Sequence, residues 1–186
     1  VRSSLEQSNE KRREIEQVNA TLQEKSETDP LTHLANRFRL NSYSEQAFER
    51  ALCGGKPFAV EILDIDYFKE YNDNYGHQAG DECIVMIADE LKKMQDGRIF
   101  CARYGGDEFV IIYEGMTEKE VFAEAENLRE RILARKLEHA YSKALPIVTI
   151  SQGICVDIPA EETRSWDFLH AADNMLYQVK KQSRNN

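Results

Sequence analysis

Residues 103–109 read Arg-Tyr-Gly-Gly-Asp-Glu-Phe. Gly105 and Gly106 lack Cβ atoms and open positive φ, so the chain can turn tightly there and lie close to a bulky ligand. Asp107 and Glu108 follow at once, with β-forming residues on both sides: Ile99, Phe100 and Cys101 before, then Phe109, Val110, Ile111 and Ile112 after. The pattern predicts a β-hairpin whose tip carries glycine and acid, a composition suited to a metal-bound phosphate. By itself the heptapeptide also reads as an ordinary surface turn.

A second acidic segment bears on that choice. Residues 57–65, Pro-Phe-Ala-Val-Glu-Ile-Leu-Asp-Ile, form an apolar run that predicts a buried strand ending near Asp64. A carboxylate at the end of a buried strand is costly unless its charge is compensated. A divalent cation is one compensation, and magnesium accepts one or two carboxylates together with water and substrate phosphates. The following Tyr67-Phe68-Lys69-Glu70-Tyr71-Asn72-Asp73 places polar groups at helical spacing, with Lys69 able to face the same phosphates.

Together these segments resemble the GGDEF family of diguanylate cyclases. The resemblance starts at Asp29-Pro30-Leu31-Thr32-His33-Leu34-Ala35-Asn36-Arg37 and continues through Asp64-Ile65-Asp66-Tyr67-Phe68-Lys69, Asn72-Asp73 and Gly76-His77-Gln78-Ala79-Gly80-Asp81. After the hairpin come Val148-Thr149-Ile150-Ser151-Gln152-Gly153-Ile154 and a last helix from Ala172 through Tyr177 to Lys180 and Arg184. The blocks stand in family order from about residue 29 to the C-terminus.

The resemblance implies condensation of two GTP molecules into cyclic di-GMP with release of two pyrophosphates. It implies two magnesium ions per site, with manganese as a possible substitute. Asp64 and Asp107 would bind the metal, and the Ile65 carbonyl and Glu108 would complete or support its shell. Asp107, Glu108 and Lys69 are the implied catalytic set, the metals stabilising attacking and leaving oxygens in an in-line displacement. Asn72 and Asp81 match guanine-reading positions, an amide and a carboxylate that adenine would not satisfy. Phe68, Lys69, Lys180 and Arg184 match nucleotide contacts, and Gly105 and Gly106 let the backbone lie against the substrate. Lys180 and Arg184 share one helix face, although a solvated basic tail is the competing reading of Lys180 beside Lys181. Asp73 and Asp173 fit capping or surface pairing, Asp66 is expected to point away from Asp64, and His77 is expected to order the loop after Gly76.

Three departures stand out. Many family members carry an inhibitory Arg-x-x-Asp product site before the hairpin; here those positions hold Asp96 and Ile99, so feedback is expected to be weak. His33 and Ser183 replace frequent glycines.

The first 27 residues read differently. Val1, Ser4, Ser8, Lys11, Ile15, Val18, Leu22 and Lys25 fall on a heptad stripe amid Glu, Gln, Lys and Arg, with no Gly or Pro. A marginal coiled coil over residues 1–28 is expected, joining two copies into a homodimer; a solvated single helix is the alternative. Residues 29–186 then form the catalytic domain. The initial Val suggests a fragment downstream of a sensor domain.

A net charge of −9 disfavours binding to long nucleic acids, which calls for a basic footprint. The four cysteines lack zinc-ligand spacing, and Cys83 and Cys101 read as core residues of a reducing, cytoplasmic compartment. No run is long and apolar enough for a membrane contact in this stretch. Strands are expected near 57–64, 98–103, 108–113 and 147–156, and helices near 36–52, 77–95, 117–139 and 165–183. The fold class is α/β (α+β): a central, mostly antiparallel sheet flanked by helices, a ferredoxin-like palm preceded by a long N-terminal helix. Two rival functions remain, a catalytically silent GGDEF module that binds GTP or cyclic di-GMP as a receptor, and a plain dimerisation domain.

Overall fold

The computed structural model describes residues 4–182; Val1, Ser183 and Arg184 lie outside the described residues, as does the side chain of Lys25. Ten elements follow in order: α1 (Ser4–Glu27), α2 (Arg37–Gly54), β1 (Phe58–Ile65), α3 (Phe68–Tyr75), α4 (His77–Met94), β2 (Ile99–Gly105), β3 (Glu108–Glu114), α5 (Glu118–Ala134), β4 (Ile150–Asp157) and α6 (Ser165–Gln182). The strands form one antiparallel sheet in the order β2-β3-β1-β4. This is the βαββαβ palm, with the α3–α4 pair as its first crossover.

Side-chain alternation along β1 divides the core in two. Phe58, Val60 and Ile62 pack with Ala102, Val110 and Ile112 beneath α2 and α6, against Phe48, Phe168, Ala172 and Leu176. Ala59, Leu63 and Ile65 face α3, α4 and α5 through Cys83, Ile87, Leu91, Leu128 and Ile132. Every residue of β1 is buried, as expected of a central strand covered on both faces. Glu61 lies within it, accepting a 2.6 Å hydrogen bond from the Tyr113 hydroxyl.

Two boundaries depart from the sequence expectation, the end of α5 and the start of β4, which lies at Ile150 rather than near residue 147. The helix expected to reach residue 139 stops at Ala134, because Lys136 takes a positive φ of 49° and Glu138 pairs with Ile147. The segment after Tyr67 is a separate helix, α3, parted from α4 by Gly76 at φ 90°. His33, where a glycine is frequent, adopts φ 61°, a left-handed conformation that explains the preference.

Helix α1 has 24 residues, about 36 Å at 1.5 Å per residue. Its apolar Ile15, Val18 and Leu22 are 57–61 % exposed. Asn36 ties its end to the domain: its side-chain amide donates to the Ser26 carbonyl, its backbone N–H donates to Glu27, and its Oδ1 caps α2 at Arg39.

Candidate active site

The C-terminal end of β1 and the tip of the β2–β3 hairpin meet because the ladder register pairs Asp64 with Glu108 on one side and Ser151 on the other. Residues opposite each other in a ladder point to the same face, so the Asp64 and Glu108 carboxylates share the α6 side of the sheet. Asp107 stands in the turn itself. Gly106 holds φ 53°, and the register shifts between Arg103 and Gly105, which kinks the tip. Arg103 fastens the tip from below, donating twice to the Gly106 carbonyl and pairing with Asp29 at 3.2 Å. Burial opposes the charge on Asp29, but hydrogen bonds from Thr32 and the guanidinium of Arg103 outweigh it and hold that carboxyl below its ordinary range.

A cleft of about 670 Å³ opens at this end of the sheet, lined among others by Asp64, Ile65, Phe68, Lys69, Asn72, Gly106, Asp107, Glu108 and Lys180. Nine of the residues singled out in the sequence therefore converge. Gly105 and Asp81 are exposed and are not among the lining residues, and Arg184 lies outside the described residues. Asp73, read above as a capping or pairing residue, and His77 line the same cleft.

Acid crowds the α6 side. Burial, then the negative charges of Asp107 and Asp173, push the Glu108 carboxyl above its ordinary value, while Arg37 pulls the other way. Asp173 therefore contributes to this field although the sequence reading set it aside. Asp64 is 5 % exposed; Lys180 on α6 pairs with its Oδ2, and its Oδ1 is buried without a hydrogen-bond partner. A buried orphan carboxylate oxygen among further acids and a backbone carbonyl is a donor set of hard oxygens, which fits magnesium or manganese. Among the described residues, no three carboxylate, His or Cys side chains converge as a metal cluster.

Asp66 is spoken for elsewhere. It is wholly buried and accepts 2.6 Å hydrogen bonds from Thr149 and Ser151, so it braces the turn after β1 and is absent from the cleft lining. Two glycines set close approaches that no spacing rule disclosed. A Cβ at Gly80 would lie 1.8 Å from Asn72 Oδ1, so α3 and α4 meet on that side chain, and Asn72 Oδ1 is another buried acceptor without a partner. A Cβ at Gly153 would lie 2.2 Å from the Ala172 carbonyl, so α6 rests directly on β4 and brings Lys180 to Asp64.

The four cysteines are free, and burial followed by the Asp107 charge pushes the Cys83 thiol up to about 12. Among the described residues no helix is long and apolar enough to cross a membrane.

Comparison with known proteins agrees with this geometry. The family model described as "Diguanylate cyclase, GGDEF domain" matches residues 26–186. The response regulator PleD of Caulobacter vibrioides is 33% identical over 158 residues, covering 85% of this chain and 35% of PleD. The diguanylate cyclase DgcP of Pseudomonas aeruginosa is 36% identical over 162 residues, 87% of this chain and 23% of DgcP. The chain thus spans about a third or less of the length of these relatives. Among solved structures, the coiled coil and GGDEF domain of DgcB from Caulobacter crescentus, in complex with c-di-GMP, superposes with a TM-score of 0.89 at 29% identity, covering 98% of this chain and 95% of that one. The diguanylate cyclase SiaD of Pseudomonas aeruginosa, in complex with its activator SiaC, has a TM-score of 0.77 at 29% identity, covering 97% and 68%. A palm sheet that pairs an acid-bearing strand end with a Gly-Gly-Asp-Glu-Phe hairpin is thereby matched in fold and in sequence, and the chain belongs to the GGDEF family of diguanylate cyclases.

Proposed function

We propose that this chain condenses two GTP molecules into cyclic di-GMP as a homodimer. The supporting observation is the buried, unpartnered Oδ1 of Asp64, a residue that lines the same cleft as Glu108, Lys69, Asn72 and Lys180. In the reaction the 3′-oxygen of one GTP bonds to the α-phosphorus of the other and the bond to pyrophosphate breaks; repetition in the opposite sense closes the ring. Asp64, Asp107, Glu108 and the Ile65 carbonyl would hold divalent metal, magnesium or manganese, which when bound neutralises phosphate charge and favours the attacking and leaving oxygens.

The chain's own groups do the remainder. Lys69 and Lys180 meet the phosphates, with Arg184 assigned there from the family pattern. The orphan Oδ1 of Asn72 accepts from the guanine amine, with Asp81 as the second reader and Phe68 against the nucleotide. Cleaving and forming bonds between two bound nucleotides requires two sites face to face, which converts an encounter into an intramolecular step. The exposed Ile15, Val18 and Leu22 on α1 are the seam that would bring two copies together, with an upstream sensor setting their register. DgcB, solved with a coiled coil joined to its GGDEF domain, supports reading α1 as such a stalk. A cytoplasmic location follows from the substrate.

The test is magnesium-dependent product formation from GTP, followed by chromatography across a protein dilution series, with Asp107→Asn alongside. Product that rises faster than linearly with protein and vanishes in the variant is expected. GTP binding without product at any concentration would replace this reading with that of a receptor.

A further inference from the structure

Helix α3 carries Phe68, Lys69 and Asn72, yet it has only eight residues and begins without a side-chain cap. Its N-cap, Tyr67, sits at φ 53°, a left-handed conformation that a residue with a Cβ adopts only when its surroundings enforce it. So short a helix does not hold itself.

The segment between α5 and β4 supplies the restraint. His139 is wholly buried, and its Nε2 lies 2.9 Å from the Tyr67 carbonyl, which also accepts the first helical bond from Tyr71. A carbonyl only accepts, so Nε2 carries the proton. Nδ1 is buried with no hydrogen-bond partner, which leaves Nε2–H as the ring's one polar link. The imidazole stands edge-on to Tyr71 at 5.1 Å and to Tyr75 at 6.3 Å. One residue on, the Ala140 N–H donates to the Tyr75 hydroxyl at the far end of the same helix. The segment is itself stiffened by the Glu138–Ile147 bridge and by the His139 N–H to the Pro146 carbonyl at 3.0 Å. It therefore grips α3 at the first turn, the middle and the end, while neither His139 nor Ala140 lines the cleft.

We infer that His139 is a positioning residue for the nucleotide: its Nε2–H fixes the Tyr67 carbonyl and thereby holds Phe68, Lys69 and Asn72 in the geometry that GTP meets. The inference rests on the proposed use of the cleft for GTP. It assigns to a residue about 70 positions downstream, with no ligand contact, a share of substrate affinity.

Two variants separate donor from bulk. His139→Phe keeps an aromatic ring against Tyr71 and Tyr75 but removes the donor, and His139→Gln keeps an N–H donor on a smaller side chain. Amide exchange by mass spectrometry on the protein without nucleotide reads α3 directly. KM for GTP, or GTP affinity with magnesium if the wild-type chain forms no product, reads the consequence. Faster exchange of residues 68–75 in His139→Phe, with KM or Kd raised on the order of tenfold and kcat changed less, is expected. His139→Gln should lie near wild type in both. Unchanged exchange in His139→Phe would overturn the inference, as would faster exchange with unaltered GTP affinity, or a His139→Gln variant as impaired as His139→Phe. Failure of the wild-type chain to make product would instead count against the cyclase reading and leave the exchange and affinity comparison intact.

Discussion

Replacing Glu61 by Gln should make the domain gain stability relative to wild type as pH rises through neutrality, by an amount that depends on pH in a defined way. Glu61 is wholly buried at the centre of β1; one carboxyl oxygen accepts from Tyr113 and the other has no partner. Burial pushes its carboxyl up from 4.5 to about 7, against the Tyr113 hydrogen bond, which pulls it down. The unfolded chain therefore releases this proton above about pH 4.5, whereas the folded chain keeps it to about pH 7. Stability from this group is fully present below the lower value, is lost progressively as pH rises between the two, and changes no further above the upper one. At 1.36 kcal/mol per unit, the full loss is about 3 kcal/mol, most of which falls between pH 5 and pH 8. Gln has the same shape, keeps an oxygen for Tyr113 and does not titrate. Urea melts of Glu61→Gln and wild type at half-unit steps should show the variant gaining on wild type by that amount, or roughly 5–10 °C in Tm. Any fixed cost of burying the amide N–H groups shifts the two curves without changing their divergence. A stability difference that is flat from pH 5 to pH 8 would refute the reasoning, because Glu61 would then titrate normally in the folded chain.

Three further outcomes follow from the packing. Gly80→Ala sets a Cβ 1.8 Å from Asn72 Oδ1; we expect loss of GTP-over-ATP preference with little change in melting, since Ala favours a helix by about 1 kcal/mol, and an unaltered preference would remove Asn72 from guanine reading. Gly153→Ala forces α6 off β4, where a Cβ would meet the Leu176 N–H at 2.4 Å. A loss of about 1–3 kcal/mol or more in urea melts should accompany weakened nucleotide binding, and a variant as stable as wild type would show that α6 is not seated as described. Asp96 spends its Oδ1 on the Arg98 and Ile99 N–H groups, and Ile99 is buried. Calorimetry should accordingly find no low-micromolar cyclic di-GMP binding at that surface, and tight binding there would reinstate a feedback site.

Much of this molecule was legible along the chain. The apolar run 57–65 and the β-formers around Gly105 and Gly106 announce a buried strand and a hairpin, because alternation and turn chemistry are local properties. Asp64, Asn72 and the hairpin acids, which line the cleft, stand out by residue type at family spacing. What the chain could not show depends on register and on contacts distant in sequence. Pairing Asp64 with Glu108 places Glu108 directly across the ladder, while Asp107 occupies the turn. Asp66 proves to be a brace because Thr149 and Ser151 arrive from β4. Glu61 reads as one polar residue in an apolar run, and only closure of both helical layers over the sheet leaves it wholly buried.

The same distinction applies to two motif glycines and to His139. Gly80 and Gly153 stand in quoted motif blocks, but the reason for glycine there is not local, since what forbids a side chain is a neighbour from another element. His139 reads as an isolated histidine until the segment before β4 folds against α3 and its Nε2 meets the Tyr67 carbonyl. The amino-acid sequence by itself determined most of the elements and which residue types gather at the cleft, because propensity, periodicity and motif spacing act over a few residues. Tertiary structure alone decided which acids face each other, which are buried as braces and what packs against α3, because burial and hydrogen bonding are settled only when separate elements meet.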